Sequence, residues 1–361
     1  MTKRAAFILA GGKARRFQSK HEKWQDKALA ELFGKPLLIH AIENVRDVVE
    51  NIIVCVNDET RKARYSRVLM EHCIKNVRLV TDEKISRVSG PNVAILTGLK
   101  SVEAGYCFTL PCDMPLFKPR VVDYLFNAAK DAQVVVPMWP NGRLETLIMV
   151  LERSSILEIT DTLCQLRRPR SDDIIRGAPS VMFVSPLSEI RALDPDLKSF
   201  ININNQEDLT QLQTRPVHGS IAENLRLTLG SRHMTKLKRL RDASTLCRQG
   251  KFLESSSIFS SCAIHMEKEN SFFWAGISRE NEGESLLSLC QRQTDLQLAN
   301  ELDFKGKEAL LKAANNYRLE AEMHEKGRCR FLAERAKADK SWCESWAMGK
   351  LRQSNRYPPK Y

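Results

Sequence analysis

The first 215 residues alternate short apolar runs with segments of helical period, and that alternation restricts the fold more than any composition value. The runs are Ala5–Leu9, Asn51–Val56, Val77–Val80, Tyr106–Leu110, Gln133–Val136, Leu144–Leu151 and Val181–Val184. Helical segments lie near Pro36–Val48, Thr60–His72, Val93–Val102, Lys118–Lys130, Ser154–Leu166 and Gln206–Gln213. Continuous apolar strands of this length suit a sheet covered on both faces, and their alternation with helices suits βα units. The expected fold is α/β, a Rossmann-like doubly wound sheet. In such sheets ligands bind beyond the carboxyl ends of the strands. The loops that follow strands are therefore where chemistry should sit.

Four such loops carry suggestive residues. In the first, Leu9, Ala10, Gly11 and Gly12 lead into Lys13, Arg15 and Arg16, with Asp26-Lys27 opening the next segment. Glycines there let backbone N–H groups approach a ligand closely, and the cations suit a polyphosphate. A tight turn with a solvated basic patch is the competing reading. The second loop holds Thr81-Asp82, then Gly90-Pro91 before a helix. An acidic residue at a strand end can accept hydrogen bonds from a base or ribose, or simply cap a turn. The third, Leu110–Phe117 (LPCDMPLF), places Asp113 between Pro111 and Pro115. A carboxylate held there suits Mg²⁺, which takes hard oxygen ligands and few protein contacts. The fourth, Phe200–Leu209 (FININNQEDL), offers Asn202 and Asn204 at alternate extended positions before a helix start. Their amides can bind a polar ligand or serve as turn and cap residues.

Together these loops resemble the molybdenum cofactor guanylyltransferase (MobA-like) family of nucleotidyltransferases over about residues 1–213. LAGGKARR with Asp26-Lys27 is similar to that family's LAGG-x-x-x-R…DK signature, and Ser89-Gly90-Pro91 to its GP loop. Leu110–Phe117 resembles its CDxP metal turn, Phe200–Leu209 its NxNTPEDL-like segment, and Arg143–Val150 more weakly its EPLFAVY-like strand. The resemblance implies transfer of GMP from GTP to the phosphate of molybdopterin. It implies backbone contacts to the nucleotide from Leu9, Ala10, Gly11 and Gly12, with Arg16 and Lys27 on the phosphates. Asn57, Asp82 and Gly90 would serve the base and ribose side, Asp113 would hold Mg²⁺, and Asn202 and Asn204 would face the pterin. The chain departs from the pattern at several points. About six extra residues lie within Ser19–Gln25, and Phe17-Gln18, Glu145-Thr146 and Asn205-Gln206 replace the usual Met-Gly, Glu-Pro and Thr-Pro. LAGG, where cytidylyl relatives carry LAAG, favours guanine over cytosine.

Composition narrows the alternatives. The 361 residues carry a net charge of +12, which favours anionic ligands. Basic residues are interleaved with acidic ones, 25 Lys and Arg against 18 Asp and Glu in residues 216–361, so no nucleic-acid stripe is expected. The Walker A, G-x-G-x-x-G and G-x-S-x-G patterns are absent, which argues against P-loop hydrolysis, hydride transfer and Ser-triad chemistry. None of the ten cysteines forms a C-x-x-C pair, and several lie in apolar runs, as expected of reduced core thiols. No apolar run approaches the roughly 20 residues that span a bilayer. A cytoplasmic protein is expected.

From about Thr214 the strand signals stop. Met234–Arg248, Phe252–Lys268, Phe273–Leu298, Lys307–Ala338 and Trp342–Gln353 read as helical, with Gly250 and Gly306 as punctuation. Cys247–Ile264 resembles a tetratricopeptide helix pair. The expected organisation is a nucleotidyltransferase domain over 1–215, an all-α, tetratricopeptide-like accessory domain over 216–352 and a tail over 353–361. The helices would dock a protein partner or a second copy. Two rival functions stand beside the leading one: a nucleotidyltransferase for cobinamide phosphate or a sugar phosphate, and a non-catalytic interaction protein that keeps a nucleotide fold.

Overall fold

The computed structural model describes residues 3–12, 14, 17, 25–84, 88–212, 223–228 and 234–350. Two compact units emerge, one spanning Met1–Cys164 and Arg168–Leu227, the other Gln165–Arg167 and Thr228–Tyr361.

The first unit is built in chain order from β1 (Arg4–Leu9), β2 (Glu31–Leu32), β3 (Lys35–Pro36), α1 (Leu37–Glu43), β4 (Asn51–Val56), α2 (Glu59–Glu71), β5 (Val77–Thr81) and α3 (Pro91–Lys100). It continues with β6 (Tyr106–Pro111), α4 (Pro119–Ala128), β7 (Val134–Pro137), β8 (Met149–Glu152), α5 (Arg153–Gln165), α6 (Asp172–Gly177), β9 (Ser180–Val184), α7 (Glu189–Leu193), α8 (Asp208–Gln211) and β10 (Leu225–Thr228). Eight strands form one sheet in the order β10-β9-β7-β8-β6-β1-β4-β5. β1 pairs in parallel with β4 and β6, β4 with β5, and β7 with β9, whereas β8 runs against both β6 and β7. The α/β expectation therefore holds as a mixed, mostly parallel sheet flanked by helices.

β1 sits at the centre because Ala5, Ala6, Phe7 and Ile8 can be buried on both faces, and all four are fully buried. Small residues facing it let α3 approach: a Cβ on Gly98 would lie 2.8 Å from the Phe7 ring. From β1 the chain moves outward to β4 and β5, then returns to place β6 on the other side of β1. That reversal of direction opens a crevice at the carboxyl ends of β1 and β6. An aromatic chain runs through the core of this unit, with Phe108–Phe117 at 5.6 Å, Phe117–Phe200 at 5.9 Å and Phe200–Trp139 at 5.1 Å between ring centroids.

Four expected elements shift. Leu144 makes only an isolated antiparallel bridge with Met138, so the strand expected from Leu144 begins at Met149. β10 lies beyond the expected boundary at 215 and belongs to the sheet, which carries the first unit to Leu227. The second unit consists of α9 (Met234–Arg248), α10 (Phe252–Lys268), α11 (Phe272–Cys290), α12 (Leu296–Lys326) and α13 (Arg330–Ala347), each packed on the next. The expected Phe273–Leu298 helix instead stops at Cys290, and Asp295 caps α12 by accepting from the N–H groups of Gln297 and Leu298. Gly306 does not punctuate; it lies inside α12. A Cβ there would meet Leu287 at 2.8 Å, so the glycine serves the close approach of α11 and α12.

None of the ten cysteines, all of them described, forms a disulfide. Among the described residues, no helix is long and apolar enough to cross a membrane.

Candidate active site

The strand ends assemble the site through the backbone. Ala10 N donates to Cys55 O (3.0 Å), Asp82 N to Val56 O (2.7 Å) and Cys112 N to Leu9 O (3.3 Å). The first residues past β1, β5 and β6 are thus each locked to the end of a neighbouring strand along one edge. Ile203 N donates to Asp113 O (2.9 Å), which lays the Asn202–Asn204 segment across the Asp113 turn.

On one side, Gly11 faces Asn57 and Asp82. A Cβ on Gly11 would lie 3.3 Å from Asn57 N and 3.7 Å from Asp82 Oδ2, so glycine keeps this corner open. Among the described residues Asp82 Oδ1 is buried without a hydrogen-bond partner, and burial pushes the Asp82 carboxyl up to about 6. On the other side, Lys27 Nζ pairs with Asp113 Oδ2 at 2.6 Å, both side chains being mostly buried. Asp26 makes this possible: its carboxylate accepts from Ala28 N (3.3 Å) and caps the 3-10 turn Lys27–Leu29. The lengthened stretch before Asp26 does not prevent Lys27 from reaching Asp113.

Among the described residues Asp113 Oδ1 is buried with no hydrogen-bond partner, as is Asn202 Oδ1. Among the described residues no three His, Cys, Asp or Glu side chains converge on a metal position. A single hard carboxylate oxygen with spare acceptor capacity still fits Mg²⁺, which commonly binds through one or two carboxylates and the substrate's phosphates. Asn204 turns its amide back, Nδ2 donating to Asn202 O at 3.3 Å, while its N–H and that of Asn205 donate to Asp208 Oδ2 at 2.5 and 3.1 Å. Asp208 thereby fixes the entry to α8, as an Asn/Asp-rich helix start requires.

Of the residues singled out in the sequence, Leu9, Ala10, Gly11, Gly12, Lys27, Asn57, Asp82, Asp113, Asn202 and Asn204 lie along this carboxyl edge or on the segment crossing it. Gly90 is different. It stands at the start of α3 with its α-carbon against Pro169, where a Cβ would lie 2.7 Å from Pro169 O. Asn92 reinforces this contact, donating from N to Pro169 O (3.2 Å) and from Nδ2 to Arg168 O (2.8 Å). Gly90 thus has a packing role in the GP loop. Arg16 lies outside the described residues.

Sequence reasoning missed two residues of α2. Arg61 is buried, with Nε 3.2 Å from Asp26 Oδ2 and Nη1 donating to Gly12 O (3.2 Å) and Ala10 O (3.3 Å). Tyr65 OH donates to Asp26 Oδ1 at 2.9 Å. The available signal was an i, i+4 Arg-Tyr pair in a helix that follows a strand, one turn after Asp58, whose carboxylate caps α2.

A doubly wound sheet with a glycine loop, a lysine–aspartate pair and spare acceptors along its carboxyl edge defines a nucleotidyltransferase. A family model described as the MobA-like NTP transferase domain matches residues 6–181. A probable molybdenum cofactor guanylyltransferase of Methanosarcina acetivorans is 33% identical over 210 residues, covering 58% of this chain and 89% of the relative. One of Pyrococcus horikoshii is 30% identical over 210 residues, covering 56% and 96%. The solved molybdopterin-guanine dinucleotide biosynthesis protein A of Archaeoglobus fulgidus covers 58% of this chain and 96% of its own, at 20% identity and a TM-score of 0.47. The chain belongs to the MobA-like nucleotidyltransferase family.

Proposed function

We propose that the protein is a Mg²⁺-dependent guanylyltransferase that transfers GMP from GTP to the phosphate of molybdopterin. A phosphate oxygen of the acceptor attacks the α-phosphorus, the bond to the bridging oxygen breaks, and pyrophosphate leaves with the electron pair. The observation that carries the reading is the Lys27–Asp113 pair, with Asp113 Oδ1 unpartnered, beside the glycine loop. Relatives named as molybdenum cofactor guanylyltransferases supply the substrates.

The N–H of Gly11, in a corner that no side chain fills, approaches the polyphosphate. Lys27, already held at the site, exchanges part of its contact with Asp113 for a phosphate oxygen and offsets charge there. Asp113 would hold Mg²⁺, which when bound supplies further neutralisation of the phosphates. Asp82 is mainly ionised at neutral pH, given its carboxyl near 6. Its carboxylate accepts from the N–H donors of guanine, a pattern that cytosine does not present in the same way. Asn57 lines the same corner, and Asn202 and Asn204 face the pterin. Arg16 would act on the phosphates.

A GTP-consuming step places the protein in the cytoplasm in this reading. The helices of the second unit follow one another in space as they do in sequence, which supports the tetratricopeptide-like reading and a docking role, for a partner protein or a second copy.

The test is pyrophosphate release from GTP or CTP with Mg²⁺ and molybdopterin, cobinamide phosphate or a sugar phosphate. GTP with molybdopterin should give release, and GTP should bind more than about tenfold tighter than CTP by calorimetry. Equal or reversed base preference refutes the guanylyl assignment. Release with another acceptor alone establishes the rival enzyme, and no release with any acceptor favours the interaction protein.

A further inference from the structure

The stretch that leaves Ala10 and returns at Asp26 is longer than the family pattern, yet its two ends are tied to one point on α2. Arg61 lies there, buried, with Nη1 donating to Ala10 O and Gly12 O and Nε in an ion pair with Asp26 Oδ2, all at 3.2–3.3 Å. Tyr65, one turn further along the helix, has two acceptors within reach of its single hydroxyl proton, Asp26 Oδ1 at 2.9 Å and Ala10 O at 3.3 Å. Burial pushes the Tyr65 phenol up, so it stays a donor. Arg64 stands further out, 3.8 Å from Asp26 Oδ2.

Two consequences follow from this geometry. In a trans peptide the carbonyl and the following N–H point in opposite directions. With the Ala10 carbonyl turned to Arg61, the Gly11 N–H points away from α2. The second consequence concerns Lys27. Asp26 spends one oxygen on Tyr65 and the Ala28 N–H and offers the other to Arg61, so the capped turn is fixed in place while Lys27 extends to Asp113.

We propose that Arg61, with Asp26 and Tyr65, is a positioning residue for the nucleotide. It aims the Gly11 N–H and sets Lys27 on Asp113 without touching the reacting atoms. The inference rests on the nucleotidyltransferase reading. A lysine cannot replace it, because an ammonium lacks the planar fork that reaches two carbonyls and a carboxylate together.

The experiment measures GTP affinity by calorimetry in the presence of Mg²⁺, which needs no acceptor, alongside urea unfolding of Arg61→Lys, Arg61→Ala and Tyr65→Phe. Arg61→Lys should weaken GTP binding by about tenfold or more while remaining folded. Arg61→Ala should weaken it further, and millimolar guanidinium, but not equal sodium chloride, should restore affinity to that variant while leaving the wild type unchanged. Tyr65→Phe should weaken binding by a smaller factor. Should Arg61→Ala not fold, Arg61→Lys and Tyr65→Phe decide. Wild-type affinity in folded Arg61→Lys, or no guanidinium rescue of folded Arg61→Ala, overturns the proposal. A wild type that binds GTP but never releases pyrophosphate defeats the transferase reading, and the variants' affinities then still judge the positioning role. A wild type that binds no GTP defeats both.

Discussion

Asp113→Asn separates what the Lys27–Asp113 pair does for folding from what it does for chemistry. The pair is 2.6 Å long, with side chains 12% and 22% exposed. Asparagine keeps an oxygen for Lys27 but loses the charge. Lys27 stays charged, so an ion pair becomes an ammonium-to-amide hydrogen bond and a mostly buried cation loses its counter-ion; folding should lose on the order of 1–2 kcal/mol. In a domain of this size that lowers Tm by about 2–8 °C. Turnover should fall much further, on the order of 10²–10³-fold, the usual cost of removing one preorganised electrostatic group. The assay is pyrophosphate release from GTP with Mg²⁺ and acceptor, run well below the variant's Tm and paired with urea unfolding. Adding Lys27→Met should give a double mutant whose stability is not the sum of the singles, because the two residues share one contact. Asp113→Asn turning over within a few-fold of the wild type would refute the reasoning, as would additive stability changes.

Asp82 gives a pH dependence with a definite sign. Its carboxyl sits near 6 through burial, so the free protein holds a proton there below that pH. A ligand that donates to Asp82 favours the carboxylate and releases that proton, so GTP affinity should rise with pH toward about 6 and then level off. The nucleotide's own titration is removed by comparison with Asp82→Asn, which should lack this component; identical profiles for the two proteins would exclude Asp82 from the pocket. Gly90→Ala should lower the unfolding free energy by about 1–3 kcal/mol, read as a lower urea midpoint, since the new Cβ would meet the Pro169 backbone oxygen at 2.7 Å and a carbonyl cannot swing aside as a side chain can. An unchanged midpoint would show that the GP loop tolerates a side chain.

The order of the strands and the loops that follow them was legible because both depend on local signals. β1 and β4 read as apolar runs that only a covered sheet can bury, and Gly11-Gly12, Asp82 and Asp113 each follow such a run. What stayed hidden depends on contacts across the chain. The family loop around Gly90 suggests a ligand residue; only the position of Pro169, far along the chain, shows what its missing Cβ admits in packing. Arg61 and Tyr65 sit in a helix whose residues otherwise read as a polar face, and their partners at Ala10, Gly12 and Asp26 are dozens of residues away. The helix breaks after Cys290 and at Gly327 were obscured because Gly306 is the more conspicuous glycine. Its role is spatial, toward Leu287, rather than local. β10 is short and alternates half-buried with exposed residues, so it lacks the apolar run by which the other strands were found.

Buried polar groups in the first unit sort by what they are for. Asp194 is fully buried, yet it receives Lys118 Nζ at 2.7 Å and the Ser199 N–H at 2.7 Å. Asp173 is likewise buried and paired with Arg176 at 2.9 Å, and Asp172 with Arg170 at 2.9 Å. Each of these carboxylates is paired with a cation from within the fold, as the cost of burying charge demands. Along the carboxyl edge the pattern changes. Asp82 Oδ1, Asp113 Oδ1 and Asn202 Oδ1 are each buried without a hydrogen-bond partner. An unsatisfied buried acceptor costs about 1–3 kcal/mol, so three within one edge are a sizeable penalty against a marginal folding free energy. Asn92 Oδ1 and both side-chain polar atoms of Gln133 are also buried without a hydrogen bond among the described residues, so the edge is not unique in this. In the proposed reading its three acceptors differ in being placed where a nucleotide's N–H donors, a divalent cation and a polar acceptor would relieve the penalty. Binding then recovers what folding gave up, and ligand should raise Tm most in proteins that keep all three acceptors.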